Sequence, residues 1–287
     1  MIRDFFWKAG DETRFPAKSW GNPERAAFVL VGVHGMGGAP SDFDSLANAV
    51  ADQGGFFVAN TVRGQGGDPD PRRRGHEMKP SAILQDLREF IADTTPTGLP
   101  LILIGESLGA LLLAKGLSQA SVLPSPVGAI FSAPVVKMAR EVPPIVRMAL
   151  RTAACLYPRG SLKPGWFVTG SRMAPKVTRD EAWSTRQKTS SHYVPAFTFS
   201  ALAAIGDLID ECQAFPPTIQ CPSLVLAAGK DVYVKMHDVR DWFDKLASDQ
   251  KSFLHYPDSY HVLWNDLGRE SVIQDILAWI ESRMLPA

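Results

Sequence analysis

The chain has 287 residues, of which 45% are hydrophobic and 21% are charged, proportions typical of a soluble globular protein. Its 30 basic and 30 acidic side chains cancel, which argues against binding to nucleic acid or to an anionic membrane through net charge. Three unevenly spaced cysteines predict neither a disulfide framework nor a metal site. The charged N-terminal segment and the lack of an apolar run of about 18 residues predict a cytoplasmic protein without stable membrane insertion.

After an opening segment, residues 2–20, that is typical of an antiparallel hairpin, short apolar runs alternate with amphipathic ones. The apolar runs predict strands buried on both faces, at residues 26–33, 56–62, 101–105, 127–132, 224–228 and 252–256. Helices with one apolar face are predicted between them, at residues 43–50, 83–91, 107–119, 238–246 and 270–284. This alternation indicates βαβ units, so we predict an α/β protein with a mainly parallel central sheet flanked by helices.

Residues 135–217 interrupt this alternation, because they contain no clear buried strand and exceed the length of an ordinary connection. Apolar residues recur there at helical spacing, among them Ile145, Met148 and Phe197. Two roles are open for these side chains: they line a substrate pocket, or they pack the helices against the core. We predict an inserted helical lid, and the chain then divides into core residues 1–134, lid residues 135–217 and core residues 218–287.

The run Gly105-Glu106-Ser107-Leu108-Gly109 matches the pattern Gly-x-Ser-x-Gly. Small residues are needed around such a serine, because the turn that lifts its hydroxyl above the sheet is very tight. A predicted strand precedes the run and a predicted helix follows it, which is the context that the pattern requires. Ser107 is therefore predicted to be a nucleophile, and the alternative is a buried serine in a packing turn.

A serine nucleophile also requires backbone N–H donors for the oxyanion of its tetrahedral intermediate. The N–H of Leu108, at the start of the predicted helix, is expected to be one donor. The loop His34-Gly35-Met36-Gly37-Gly38 follows the first buried strand, and its glycines let the backbone approach a substrate. Met36 is the candidate for the second donor, Gly35 is expected to contact the substrate, and His34 is interpreted as shaping the loop.

Chain order selects the other members of a triad, since in this arrangement the serine is followed by an acid and then by a histidine. Order and predicted placement exclude five of the six histidines: His34, His76, His192, His237 and His255. His261 remains, in a loop beyond the last predicted strand. Asp231 directly follows the strand at 224–228 and is predicted to orient His261 from the carboxyl edge of the sheet, with Asp258 as the reserve.

These pieces together resemble the α/β-hydrolase superfamily and, more narrowly, its monoacylglycerol lipase and lysophospholipase-like branch. The resemblance covers nearly the whole chain and rests on His34-Gly35-Met36-Gly37, Val62-Arg63-Gly64-Gln65-Gly66, the turn at Ser107, Cys221-Pro222-Ser223-Leu224, Gly229-x-Asp231 and Tyr260-His261-Val262-Leu263. It implies an α/β-hydrolase fold with an inserted lid, the triad Ser107, Asp231 and His261, and the oxyanion donors Met36 and Leu108.

The chain departs from that branch beside the nucleophile. The branch commonly has His before the serine and Met after it, where this chain has Glu106 and Leu108, and Gln65 replaces the histidine of an Arg-Gly-His-Gly turn. These changes leave the triad intact, but they weaken the inference that this chain shares the substrate of that branch. Glu106 is a candidate substrate contact, and two further hypotheses are that it raises the pKa of His261 or that it pairs with a cation of the lid.

The predicted reaction is hydrolysis of a small-molecule acyl ester through an acyl-enzyme on Ser107, without a metal or an organic cofactor. Lipid contact through the apolar helices of the lid is a further expectation. The alternatives on the same triad are thioester cleavage, amide hydrolysis and acyl transfer to an alcohol. A receptor that keeps the fold without the chemistry is the alternative from outside the enzymes.

Overall fold

A computed structural model describes residues 1–119, 121–163, 165 and 175–284 of the chain. Among these residues the strands are β1 (Ile2–Lys8), β2 (Arg14–Trp20), β3 (Phe28–Val33), β4 (Gly55–Asn60), β5 (Leu101–Glu106), β6 (Gly128–Ser132), β7 (Ser161–Leu162), β8 (Phe197–Thr198), β9 (Ser223–Ala228) and β10 (Lys251–Tyr256). The main sheet has the order β1-β2-β4-β3-β5-β6-β9-β10. Strand β2 runs antiparallel to both neighbours and every other pairing is parallel, so the predicted α/β architecture is confirmed.

The helices are α1 (Asp44–Asp52), α2 (Pro80–Thr94), α3 (Leu108–Ser118), α4 (Pro144–Leu156), α5 (Glu181–Thr189), α6 (Phe199–Glu211), α7 (Met236–Asp244) and α8 (Arg269–Met284). Helices α2, α3 and α7 contribute to the core on one face of the sheet, and α1 and α8 contribute to the core on the other. Side chains of β3 alternate between them, with Val31 in the first core and Leu30 in the second. A strand buried on both faces is therefore apolar at every position.

The predicted opening hairpin is present, with Ile2 opposite Trp20 and Lys8 opposite Arg14. Strand β4 ends two residues earlier than predicted, because the chain turns after Asn60 and the N–H of Val62 donates to the ring of His34 instead of to a neighbouring strand. Chain segments that leave the carboxyl ends of the strands in this way form the rim on which a site is expected in an open α/β sheet.

Between β6 and β9 lies a long excursion, residues 133–222, which we call the insertion. It contains α4, α5 and α6, and residues 164 and 166–174 of the predicted lid lie outside the described residues. The antiparallel pair β7–β8 was not predicted, since two residues in each strand are too few to show a pattern. No helix in the described ranges is both long enough and apolar enough to cross a membrane.

Candidate active site

Ser107 lies in a strained turn between β5 and α3. Its φ is 55°, in the left-handed region that a residue with a side chain rarely adopts. The turn closes because its neighbours are glycines: a Cβ on Gly105 would lie 2.6 Å from the carbonyl oxygen of Gly109, and one on Gly109 would lie 2.0 Å from that of Val33. This is the geometry that the Gly-x-Ser-x-Gly pattern predicts, with the serine at the carboxyl edge of the sheet.

His261 and Asp231 form a buried hydrogen-bonded pair across two loops. The Nδ1 of His261 lies 2.7 Å from Oδ2 of Asp231, and the exposed fractions of the two side chains are 5% and 1%. The second carboxylate oxygen, Oδ1, accepts the backbone N–H groups of Tyr233 and Val234. These donors fix the carboxylate, and the ring of Tyr233 lies 4.6 Å from that of His261, so the imidazole is held on two sides.

The loop that carries His261 is tied to the insertion through Asp266, a fully buried carboxylate that sequence reasoning missed. Its Oδ2 accepts the N–H of Tyr260, and its Oδ1 accepts the N–H of Arg179 at 2.6 Å and the hydroxyl of Thr178 at 3.1 Å. Burial opposes ionisation of Asp266, but the backbone donors, Arg179 and Tyr260 among them, lower its pKa below the ordinary value. The position of His261 therefore depends on residues far away in the chain.

The ring of His34 stabilises the glycine loop after β3, as the sequence analysis predicted. Its Nε2 accepts the N–H of Val62 at 2.9 Å, which leaves the proton on Nδ1 for the carbonyl of Gly35. Complete burial lowers the pKa of His34 to about 4, so the ring is neutral and does not serve as a base near neutral pH. His34 is thus a structural part of the loop.

Gln65, which replaces a histidine of the related branch, is a second support for this loop. Its Oε1 accepts the N–H of Gly37 at 2.7 Å, at a position where the φ of Gly37 is +72°. Among the residues that the structure describes, none accepts a hydrogen bond from the N–H of Met36. That N–H and the N–H of Leu108, in the first turn of α3, are available as donors.

A cavity of about 560 Å³ lies between the rim of the sheet and the insertion, and its lining combines an apolar and a polar group of side chains. The group that we call the apolar end comes mainly from α3, α6 and the chain after β6: Leu111, Val135, Met138, Phe197, Leu202, Ile205 and Ile209. The group that we call the polar end comes from the rim and α5: Asp42, Glu106, Ser184, Gln187 and His261. Charged side chains of α4, α5 and α6 also line the cavity: Arg147, Arg151, Lys188, Asp207 and Asp210. Ser107 also lines this cavity, together with Met36.

Most of the predicted site residues meet at this cavity: Gly35, Met36, Glu106, Ser107, Leu108, Phe197 and His261 line it, and Asp231 lies behind His261. Ile145 and Met148 do not line it and require a correction, because they lie on the outer face of α4 with exposed fractions of 64% and 59%. The reserve acid, Asp258, is exposed and pairs with Lys230. Periodicity identified an apolar stripe on α4 without identifying the direction in which it faces.

Glu106 is 3% exposed, and its Oε1 has no hydrogen-bond partner among the described residues. No ion pair with a lid cation is present there, so the hypothesis that Glu106 pairs with one is not supported within the described part of the insertion. Burial, with a smaller contribution from the charge of Asp42, raises the pKa of Glu106 well above its ordinary value. Asp42 itself was missed, since no local pattern distinguishes it from a surface aspartate.

Comparisons with known proteins agree with this architecture. A family model described as serine aminopeptidase, S33, matches residues 24–268, which is most of the chain. Phospholipase YtpA of Bacillus subtilis is 25% identical over 262 residues, which cover 90% of this chain and 96% of that protein. A monoacylglycerol lipase of Mycolicibacterium smegmatis is 26% identical over 265 residues, which cover 89% of each chain.

The fold is also found in a solved structure, a soluble variant of monoglyceride lipase from Saccharomyces cerevisiae in complex with a substrate analogue. It superposes with a TM-score of 0.84 at 16% identity and covers 100% of this chain and 96% of that one. At such low identity the likeness shows the fold alone, whereas the family model spans the rim and both loops described above. The chain belongs to the serine aminopeptidase S33 family, and it is a serine hydrolase of the α/β-hydrolase superfamily in the monoacylglycerol lipase-like branch.

Proposed function

We propose that the protein hydrolyses carboxylic esters through an acyl-enzyme on Ser107, with Asp231 and His261 completing the triad. The observation that carries this proposal is the juxtaposition of three features at one cavity: the strained serine, the His261–Asp231 pair and the glycine loop, whose Met36 N–H has no acceptor in the described part of the chain. A buried serine in a packing turn would require neither the His261–Asp231 pair nor the glycine loop.

The proposed reaction has two steps. Asp231 holds Nδ1 of His261, so Nε2 is the nitrogen that takes the hydroxyl proton of Ser107 while its oxygen attacks the ester carbonyl. The N–H groups of Met36 and Leu108 stabilise the oxyanion, and His261 then returns the proton to the leaving alcohol. Water, activated by the same imidazole, releases the acid from the acyl-enzyme.

The apolar end of the cavity supports an acyl chain as the part of the substrate that binds there. Leu202 and Ile205 are half-buried and line this end together with Phe197, so their remaining exposed surface becomes desolvated when a hydrocarbon chain binds. The names of the relatives, a phospholipase and a monoacylglycerol lipase, are compatible with such a chain. We therefore propose a small-molecule acyl ester as the substrate, as in monoacylglycerol lipases and carboxylesterases.

Intact mass after exposure to a fluorophosphonate tests the triad. Wild type is expected to gain one adduct, Ser107→Ala none, and Asp231→Ala and His261→Ala an adduct that forms far more slowly. Ser118→Ala, at the other end of α3, is the matched control and should label as wild type does. A folded wild type that gains no adduct would contradict the proposal and favour the receptor alternative.

Amide hydrolysis is the second candidate, because the matching family model is described as a serine aminopeptidase. The triad does not distinguish an ester from an amide, a thioester or transfer to an alcohol. A panel of butyrate esters, butyryl thioesters and aminoacyl anilides, compared by kcat/KM, separates these reactions. Faster cleavage of anilides than of esters would replace the ester proposal.

We also propose that α4 contacts lipid through its outer face. Ile145, Met148 and Leu156 are 64%, 59% and 75% exposed on a helix that has no buried residue. The surrounding residues 137–163 contain six basic side chains and one acidic one, a composition that favours an anionic surface. Flotation with phosphatidylglycerol vesicles should recover wild type but not Ile145→Ser/Met148→Ser, and failure to recover wild type would contradict the proposal.

A further inference from the structure

The carboxyl group of Glu106 is an unexplained polar group in the candidate site. It ends β5 immediately before Ser107, it is 3% exposed, and it lines the cavity while its Oε1 lacks any partner in the described residues. An apolar residue would fill this place without the penalty of burying an unpaired polar atom. Because the residue lines the cavity, its carboxyl group is a candidate partner for a donor that a ligand supplies.

Asp42 lies close to Glu106 and is the second carboxyl at this end of the cavity. It is 6% exposed, and its two oxygens accept the N–H of Ala39 and the side-chain amide of Gln187 on α5. Burial raises the pKa of Asp42 to about 6. Among the described residues, no Lys, Arg or His forms an ion pair with Asp42 or Glu106, and the cation Lys188 of α5 lines the same cavity without pairing with either acid.

Hydrogen bonds attach the residue Asp42 to the loop that carries His261. The carbonyl of Asp42 accepts hydrogen bonds from Trp264 and Asn265, which follow His261 in the same loop. Since His261 delivers its proton to the leaving alcohol, the alcohol occupies the end of the cavity that this loop borders. We expect the acyl chain to bind among the apolar side chains of the lining.

We propose that Glu106 and Asp42 bind an ammonium group on the alcohol part of the substrate, so that esters of amino alcohols are preferred over uncharged esters of the same shape. The inference rests on the proposed ester hydrolysis and names its substrate class. A cation supplied by the ligand pairs with the carboxyl groups of Glu106 and Asp42, both of which line the cavity, in a place shielded from water. The side-chain amide of Gln187 donates a hydrogen bond to Asp42 and orients its carboxyl group. Because this amide is neutral, it does not replace a cation as the partner of Asp42.

Three butyrate esters test the inference, those of N,N-dimethylethanolamine, isopentyl alcohol and ethylene glycol. The first two have the same shape and differ in charge, and the third offers an uncharged hydroxyl. Wild type is expected to favour the ammonium ester over the isopentyl ester by about 10- to 100-fold in kcat/KM, the effect of a hydrogen bond to a charged group. Glu106→Gln and Asp42→Asn should each bring that ratio towards one.

Both kcat/KM values in a ratio are measured on the same variant, so a general loss of activity lowers both and leaves the ratio unchanged. Glu181→Gln, an exposed carboxylate on α5 that does not line the cavity, is the matched control and should keep the wild-type ratio. A wild-type ratio near one, or an equal preference for the ethylene glycol ester, overturns the inference and leaves ester hydrolysis standing. Loss of the ratio in Glu181→Gln as well would also overturn it.

Protection of Ser107 provides a measurement that does not depend on turnover. N,N-dimethylethanolamine is expected to slow fluorophosphonate labelling of wild type, and isopentyl alcohol at the same concentration is not. The protection should disappear in Glu106→Gln. If the esters are not cleaved but this protection is seen, the ammonium site stands and the ester proposal fails. Equal effects of the two alcohols on wild type would overturn the ammonium site itself.

Discussion

The loop of His261 and helix α4 border the same cavity but are held by different interactions. The loop is fixed by a buried carboxylate, Asp266, which receives hydrogen bonds from Tyr260, Thr178 and Arg179. Helix α4 has no buried residue, and exposed ion pairs of Arg147 and Arg151 connect it to α6. Exposed pairs contribute little free energy, about 0–1 kcal/mol.

This difference separates two tasks. On the side where a proton must be transferred, small displacements are costly, because a misplacement of about 1 Å reduces the rate by about 100-fold. On the side of the proposed acyl chain, we expect the loosely attached helix α4 to admit chains of different lengths. Substitutions at the His261 loop should therefore affect the chemical step strongly, and substitutions on α4 should affect it weakly.

The largest effect is expected from Asp231→Asn. The asparagine keeps the shape of the side chain but favours the wrong tautomer of His261, so kcat should fall by about 10⁴-fold. Steady-state kinetics on a butyrate ester measure this decrease in kcat, and thermal unfolding verifies that the variant is folded. A decrease of less than about tenfold would mean that Asp231 does not orient the base.

Asp266→Asn comes next and tests the support of the His261 loop. We expect kcat to fall by about 10- to 100-fold with little change in KM, since Asp266 contacts the loop and not the substrate. The free energy of unfolding should fall by about 2–3 kcal/mol, because the NH2 group of the asparagine replaces a carboxylate oxygen that accepts hydrogen bonds and faces donors instead. Asp266→Glu serves as the conservative comparison.

The outcome of Asp266→Asn separates two roles. A lower unfolding free energy with an unchanged kcat would assign Asp266 to stability alone. A lower kcat together with slower fluorophosphonate labelling of Ser107 would support a positioning role.

Asp42→Asn tests the polar end through the pH dependence of stability. The folded-state pKa of Asp42 is raised to about 6 from an ordinary value of 3.8. The folded protein therefore binds the proton more tightly than the unfolded chain, and stability decreases as the pH rises between these values. Urea unfolding at pH 3.5 to 7 should show wild type losing up to about 3 kcal/mol relative to Asp42→Asn. Parallel curves for the two proteins would contradict this assignment.

The smallest effect is expected from Arg151→Met on α4. Removal of an exposed pair with Asp207 should change the free energy of unfolding by less than about 1 kcal/mol and kcat by less than about twofold. Chemical denaturation and ester kinetics measure both quantities. A loss as large as that of Asp266→Asn would remove the contrast between the two sides of the cavity.

The sequence predicted those parts of the site that depend on local geometry and on chain order. The turn at Ser107 requires glycines at fixed spacing, and Asp231 and His261 each follow a strand of the same parallel sheet. Parallel strands bring such residues to a common edge whatever the connections between them contain. The burial of His34 under its own loop follows from the same local argument.

The contacts between the insertion and the core could not be predicted in this way. Gln187 and Asp42 are 145 residues apart, and Thr178 and Asp266 are 88 apart. No periodicity connects such pairs, because each depends on how the insertion settles on the rim. The outward direction of Ile145 and Met148 was missed for the same reason: a helical pattern defines a stripe but not the neighbour that it faces.

The hydrogen bond from the N–H of Val262 to the carbonyl of Val177 has a consequence for protein engineering. Helix α4 could be exchanged for that of a relative, since it has no buried residue and exposed ion pairs connect it to α6. Residues 175–180 should not be exchanged with it, because they form hydrogen bonds with the loop of His261 in the recipient. A functional chimera should therefore retain this segment from the same parent as residues 258–269, which places the crossover point inside the insertion rather than at its ends.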